Sequence, residues 1–126
     1  MAGEQVLVVE DNEKNMKLFR DVLQATGYRT LEATTGGLAV ELAAEHVPDL
    51  VLMDIQLPDI DGLEALARLR ADQRTASIPV LALTAQAMHG ERERFLAAGF
   101  DGYVAKPVNV VELLETVKRH CDGRVR

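Results

Sequence analysis

The sequence predicts an α/β domain, a doubly wound parallel sheet of five strands flanked by five helices. Three observations lead there. Short apolar runs alternate along the chain with stretches whose apolar residues recur every three or four positions, the signature of β–α units joined by right-handed crossovers. The run Leu50-Val51-Leu52-Met53 is apolar without alternation and follows Pro48-Asp49, which fits a parallel strand buried on both faces and is too short for a helix. The runs also end on polar residues, Glu10-Asp11, Asp54, Thr84 and Lys106, at the strand ends where open α/β sheets bind their ligands.

Length and composition narrow the class. A chain of 126 residues with 48% hydrophobic residues buries one core, so one domain is expected. No apolar run approaches the ~18 residues of a membrane span, and no basic-then-apolar leader opens the chain, so a cytoplasmic protein with no membrane partner is expected. The single Cys121 excludes an internal disulfide and fits a reducing compartment. Twenty acidic against fourteen basic residues give a net charge of -6, and no basic arm stands out. Nucleic acid is therefore not expected as a partner, and proteins are.

Taken in order, Glu4 to Val9 is the first strand. Asn12 caps a first helix whose inner face is Met16, Phe19, Val22 and Leu23, and Gly27 stops it. Tyr28 to Ala33 is a brief second strand. Thr34-Thr35-Gly36-Gly37 then reads as a break before a second helix marked by Leu38, Leu42 and Ala43 and ended by Pro48. After the Asp54 strand, Pro58-Asp59-Ile60-Asp61-Gly62 is turn chemistry. Leu63, Leu66 and Leu69 stripe a third helix, with Arg68, Arg70 and Asp72 expected in solvent. Ile78 to Leu83 is the fourth strand, with Pro79 tolerable at its start. Ala87 to Ala98 is a fourth helix, weakened at Gly90 and expected to be the most mobile. Asp101 to Ala105 is the fifth strand. Asn109 and Glu112 open the last helix, with Val110, Leu113, Leu114, Val117 and Cys121 facing inward.

A parallel sheet gathers all its C-terminal strand ends on one edge. If the first and third strands are neighbours, Glu10, Asp11 and Asp54 converge, and three carboxylates repel unless a cation joins them or some stay protonated. An oxygen-only donor set with room for water suits Mg2+, which also holds phosphate. Lys106 adds a point charge and Thr84 a hydroxyl, a layout for moving a phosphoryl group onto a carboxylate. Taken by itself, Asp54 would be an ordinary strand-end aspartate.

These residues carry a resemblance. Glu10-Asp11, Asp54, the turn from Leu57 to Gly62, Thr84-Ala85, Tyr103 and Lys106-Pro107 occur in the order and at the spacing of receiver domains of two-component response regulators. The match runs from Gln5 to Cys121. The segments Val9 to Phe19 and Met53 to Pro58 further resemble single-domain members of that family that act in bacterial cell division. The resemblance implies the flavodoxin-like strand order 2-1-3-4-5, with Asp54 as phosphoacceptor and Mg2+ as cofactor. Asp11, Asp54 and the backbone carbonyl of Gln56 would bind the metal, with Glu10 acting through water. Thr84 would bond the phosphoryl group, Lys106 would pair with it, the Lys106–Pro107 bond would be cis, and Ala85 would keep the approach open. Tyr103 would turn inward when Thr84 moves; without that context it reads as a half-buried edge-strand tyrosine. Gln86, like Gln56, would lie where the family tunes hydrolysis. A histidine kinase or histidine phosphotransfer protein would donate the phosphoryl group, and no other enzymatic activity is implied.

Other features have plainer readings. His46, His89 and His120 read as surface residues, Gly36-Gly37 as a turn into a helix, and Asn12 and Asn15 as a cap and a solvated position near the acids. A flavin carrier would want a glycine- and hydroxyl-rich phosphate loop where Glu10-Asp11-Asn12 stands. An aspartate-nucleophile phosphatase would want an acid at Gln56. Only Asp122 to Arg126 follow the last helix, so a single receiver domain over 1–126 without an output domain is expected. It would signal by docking a protein target on the face of the fourth helix, fifth strand and fifth helix. A phosphorelay shuttle, or the receiver of a hybrid kinase, is the alternative.

Overall fold

The computed structural model describes residues 3–85 and 91–122. Ten elements alternate: β1 (Gln5–Val9), α1 (Glu13–Ala25), β2 (Arg29–Ala33), α2 (Gly36–His46), β3 (Leu50–Asp54), α3 (Gly62–Ala71), β4 (Val80–Thr84), α4 (Glu91–Ala98), β5 (Gly102–Ala105) and α5 (Val110–Asp122). The strands form one parallel sheet in the order β2-β1-β3-β4-β5, the order that the family resemblance implies. Chain order reverses between β1 and β3, so these strands are neighbours, with Val9 beside Met53. Among the described residues no helix is long and apolar enough to cross a membrane.

Two core layers explain the unbroken apolar runs. Leu7, Val9, Val51, Met53 and Ala82 point to one face, against Ala39, Ala43, Leu66 and Phe95. Val6, Val8, Leu50, Leu52, Leu81 and Leu83 point to the other, against Phe19, Leu23, Leu113 and Val117. Successive strand side chains face opposite ways, and both faces are covered, so neither parity is free to be polar.

Helix starts follow a common chemistry. Asn12, Thr35, Asp61 and Asn109 each accept a hydrogen bond from the backbone N–H three residues on, at Asn15, Leu38, Glu64 and Glu112. Gly27 (φ 103°) closes the turn after α1. α2 closes differently: Val47 takes a left-handed conformation (φ 46°, ψ 66°). Pro48 follows it and disfavours the right-handed helical region at this position.

Several expectations are corrected. Gly36 and Gly37 are the first turn of α2, capped by Thr35, rather than a break before it. β4 begins at Val80, with Ile78 buried ahead of it. Val110 is 40% exposed rather than inward. Gln86, His89, Gly90 and the predicted start of the fourth helix at Ala87 lie outside the described residues.

Arg70 is the largest correction. Its guanidinium is turned onto the protein and only partly exposed; it donates to the carbonyls of Ala76 (3.0 Å), Ile78 (2.6 Å) and Gly99 (2.9 Å) and to Asp101 Oδ2 (2.9 Å). Asp101 Oδ2 also accepts the Val80 N–H at 2.8 Å. One planar fork therefore ties α3 to the entrances of β4 and β5, a geometry an ammonium cannot reproduce. Arg70→Ala is expected to lower stability by about 2–4 kcal/mol. Arg70→Lys should recover less than half of the loss in urea unfolding, and full recovery would show that charge alone suffices.

Candidate functional site

The C-terminal edge of the sheet is where the strands shed their apolar character. Glu10 directly follows β1, Asp54 is the last residue of β3, Thr84 the last of β4, and Lys106 directly follows β5. The ladders continue one step past the strands: Ile55 N–H donates to Leu83 O at 3.2 Å and Lys106 N–H to Thr84 O at 2.8 Å. The polar residues are thus held by sheet geometry rather than by loops.

Lys106 stands two strands away from Asp54 across β4, roughly 10 Å at ordinary strand spacing, and its four-carbon stem covers that gap. Its Nζ lies 2.9 Å from Asp54 Oδ2 and 3.0 Å from Glu10 Oε1. The other oxygens bond locally, Asp54 Oδ1 accepting from Gln56 N–H at 3.0 Å and Glu10 Oε2 from Asn12 N–H at 3.3 Å. Glu10, Asp11 and Asp54 each place a carboxylate oxygen within 4.8 Å of the others. Asp11 is exposed, whereas Glu10 and Asp54 are only 1% and 4% exposed.

Electrostatics at this edge are unbalanced. Burial, reinforced by the charge of Asp54 and opposed by the Lys106 ammonium 3.0 Å away, raises the Glu10 pKa above the ordinary carboxyl value. Burial also works against the Lys106 ammonium, yet its pairing with Asp54 and Glu10 outweighs this and holds its pKa above the ordinary lysine value. Lysine 106 is therefore charged at neutral pH, one cation against three acids. Glu10 Oε1, buried beside that cation, accepts no well-directed hydrogen bond. A buried, underused oxygen within an oxygen-only cluster, beside an open cleft of about 570 Å³, fits a hard divalent cation that keeps part of its water shell.

The remaining expected residues divide by place. Gln56, Thr84, Ala85 and Asn15 line the same cleft; Thr84 is buried and Ala85 exposed beside it. The Lys106–Pro107 bond is cis. Tyr103 is not among the acids: it is half-buried on β5 opposite Ala82, lining a separate cavity with Leu96, Asp101, Arg119 and His120. His46 is exposed at the end of α2, but His120 is not a plain surface residue. Its ring lies against Gly102, Nδ1 2.8 Å from Thr116 O and Nε2 3.3 Å from Asp101 O. Gly62, read from sequence only as turn chemistry, has a tighter role. A Cβ there would sit 2.5 Å from the carbonyl oxygen of Asp54, so only glycine lets α3 start against the acid-bearing strand end.

The raised Glu10 pKa has a measurable consequence. Because the folded value lies above the ordinary 4.5, the contribution of Glu10 to stability is fully present below about pH 4.5 and is lost as pH rises through the folded value. Glu10→Gln stays neutral throughout. In chelator, the mutant should gain stability relative to wild type between pH 4 and pH 7, about the span of such a titration. Unfolding curves at the two pH values check this, and a difference that does not change with pH would contradict it.

Comparison with known proteins agrees with the geometry. The Polar-differentiation response regulator DivK of Brucella ovis is 50% identical over 115 residues, covering 91% of this chain and 94% of the relative; DivK of Brucella anthropi is equally similar. Among solved structures, the receiver domain of a sensor histidine kinase from Pseudomonas aeruginosa superposes with a TM-score of 0.89 at 38% identity, covering 97% of this chain and all of that one. That structure has a magnesium ion coordinated in its active site cleft. The Vibrio cholerae chemotaxis protein CheY4 superposes with a TM-score of 0.87 at 28% identity, covering 94% and 98% of the two chains. The family described as the response regulator receiver domain matches residues 6–118, from β1 well into α5, and with the acids, the hydroxyl and the lysine of that stretch assembled at one sheet edge, the chain belongs to the response regulator receiver family.

Proposed function

We propose that this receiver takes a phosphoryl group from a phosphohistidine onto Asp54 and passes the signal on by binding a partner protein. The observation that carries the proposal is the Asp54 carboxylate at the mouth of an open cleft, with Lys106 Nζ at 2.9 Å and two further carboxylates within 4.8 Å. In this reading Asp11, Asp54 and the Gln56 carbonyl hold Mg2+, with Glu10 acting through water. When bound, the metal neutralises charge on the phosphoryl oxygens and on the acids around them.

The chain's own residues do the rest. An Asp54 oxygen attacks phosphorus, an acyl-phosphate O–P bond forms, the N–P bond of phosphohistidine breaks, and the imidazole leaves with its electron pair and takes a proton from solvent. Lys106, kept charged by its acidic neighbours, stays paired with the incoming negative charge, and the Thr84 hydroxyl donates to a phosphoryl oxygen. Hydrolysis of that acyl phosphate is the only other chemistry we assign. The protein is a cytoplasmic signalling component working as one receiver domain over 1–126, not an enzyme for separate substrates, and neither nucleic acid nor membrane is a partner.

Output follows from Thr84. Phosphorylation adds close to two negative charges, which draw the Thr84 hydroxyl inward and open space for Tyr103, remodelling the α4–β5–α5 face where the target docks. The 50% identity to DivK over 91% of the chain supports a kinase or phosphorelay protein of bacterial cell-cycle control as that target. A second reading has its own support: the 38% identity to a kinase-borne receiver favours a shuttle, or the receiver of a hybrid kinase.

Asp54→Asn should abolish phosphoryl transfer from a phosphohistidine donor, and acid- and base-labile labelling at wild-type yield in that mutant would refute the assignment. Asp11→Ala should weaken Mg2+ binding by about tenfold or more, since changes one layer further out already cost that much; calorimetric titration reads this.

Thr84→Ala should still accept phosphate but lose the phosphorylation-dependent gain in target affinity, and Tyr103→Ala should lose it too. That gain is expected to be about 5- to 150-fold in wild type. Affinity for every partner that ignores phosphorylation would instead favour the shuttle.

A further inference from the structure

The loop between β3 and α3 carries Gln56 and is gripped from outside as well as at its ends. At its start, Gln56 N–H donates to Asp54 Oδ1 at 3.0 Å. At its finish, Gly62 N–H donates to Ile55 O at 2.8 Å. Midway, Asp59 reaches back to the preceding β–α unit. Its Oδ1 accepts the Gly36 N–H and its Oδ2 the Gly37 N–H, both at 2.8 Å. Hydrogen bonds from Gly37 and other backbone amides hold the Asp59 carboxyl below its ordinary pKa.

The apolar neighbour of Asp59 completes the grip. A Cβ on Gly36 would lie 2.6 Å from Ile60 Cγ1 and 3.2 Å from the Ile60 carbonyl oxygen, so the loop rests directly on the α2 backbone. Thr35 serves as N-cap through the Leu38 N–H, and Asp59 takes two further N–H groups of the first turn from outside the helix. What Asp59 adds is a join between segments 22 and 23 residues apart. Leu57 and Ile60 pack against the core from within this stretch, but the Asp59 carboxylate gives it a directed polar tie to another β–α unit.

We propose that Asp59, with Ile60 seated on Gly36, is a positioning residue for the Asp54 site: it clamps the β3–α3 loop to α2 and so fixes the Gln56 backbone beside Asp54. This rests on the function proposed above, in which the Gln56 carbonyl is a metal ligand. Such ligands must be held to within about 0.5 Å by their supporting contacts, and Asp59 supplies support that touches neither metal nor phosphate.

Two variants disturb the clamp from opposite sides. Asp59→Ala removes the carboxylate. Gly36→Ala keeps every charge but drives a methyl group into Ile60, and Gly36→Ala combined with Ile60→Ala makes room again. Amide hydrogen exchange in metal-free protein, referenced to Val51 in β3, should speed up about fivefold or more at Gln56 in both single variants, as for a locally loosened loop. Mg2+ dissociation constants should rise about three- to tenfold, with recovery in the double variant; the charge-preserving Gly36→Ala separates this from plain loss of negative potential. Should Asp59→Ala prove too unstable to assay, Asp59→Asn, which keeps one acceptor, should give the same changes at smaller size. Loss of protection confined to Gly36 and Gly37, with Gln56 exchange and Mg2+ affinity unchanged, would reduce Asp59 to a helix cap and overturn the proposal. Failure of wild-type protein to bind Mg2+ would instead remove the functional reading, and Gln56 exchange would still decide whether the clamp exists.

Discussion

Two buried carboxylates share one ammonium at the sheet edge with a third, exposed one beside them, and much of the structure follows from making that tolerable. Burying an uncompensated carboxylate is expensive, and a single partner repays the cost only if geometry is good and the remaining oxygens are bonded. Lys106 reaches Glu10 and Asp54 only because β5 lies beside β4 and β4 beside β3. The spare oxygens take local N–H groups at Asn12 and Gln56, and Asp11 is left exposed. The edge keeps a deficit of positive charge, which suits it to a divalent cation and an incoming phosphoryl group more than to stability.

That strain is confined to one edge. At the opposite edge, the Arg70 fork and Asp101 fasten α3, β4 and β5 through carbonyls and a carboxylate. A planar cation with fixed donors makes a stiff joint, whereas the acids facing the cleft keep oxygens that can change partner. The sheet thus has one tied edge and one edge able to respond.

The pattern of the fold was legible because each strand states its burial and its end in consecutive residues. Val6 to Val9 and Leu50 to Met53 must satisfy two covered faces, and the first polar residue after each marks the edge. Asp54, Thr84 and Lys106 could be placed together because parallel strands share a direction, a rule needing no knowledge of contacts. Arg70 could not be read this way. Its position on α3 looks solvent-facing in a helical pattern, and its partners lie 6 to 31 residues further on. Gly36-Gly37 reads as a break because glycine is a poor helix former; what crowds the pair is the approach of Ile60 to Gly36 and of Asp59 to Gly37 from another unit. Asp59 reads as turn chemistry because it stands between Pro58 and Asp61-Gly62. Tertiary neighbours, not local propensity, decided all three.

Val47 has a consequence for distance along the chain. A β-branched residue in the left-handed region costs on the order of 1 kcal/mol or more, and among the described residues Val47 is the non-glycine residue with positive φ. Only Pro48 and Asp49 separate it from β3, and Asp49 is pinned at once, its N–H to Gln5 O and its Oδ2 to Gln5 N–H. The stop at Val47 therefore works as a ruler. It sets the residue at which β3 begins, and four residues later the strand is spent at Asp54. One residue more or less in that short link would shift the acidic tip by about 3.3 Å and turn it to the other side of the sheet, so a strained valine at the far end of the strand meters where the chemistry stands.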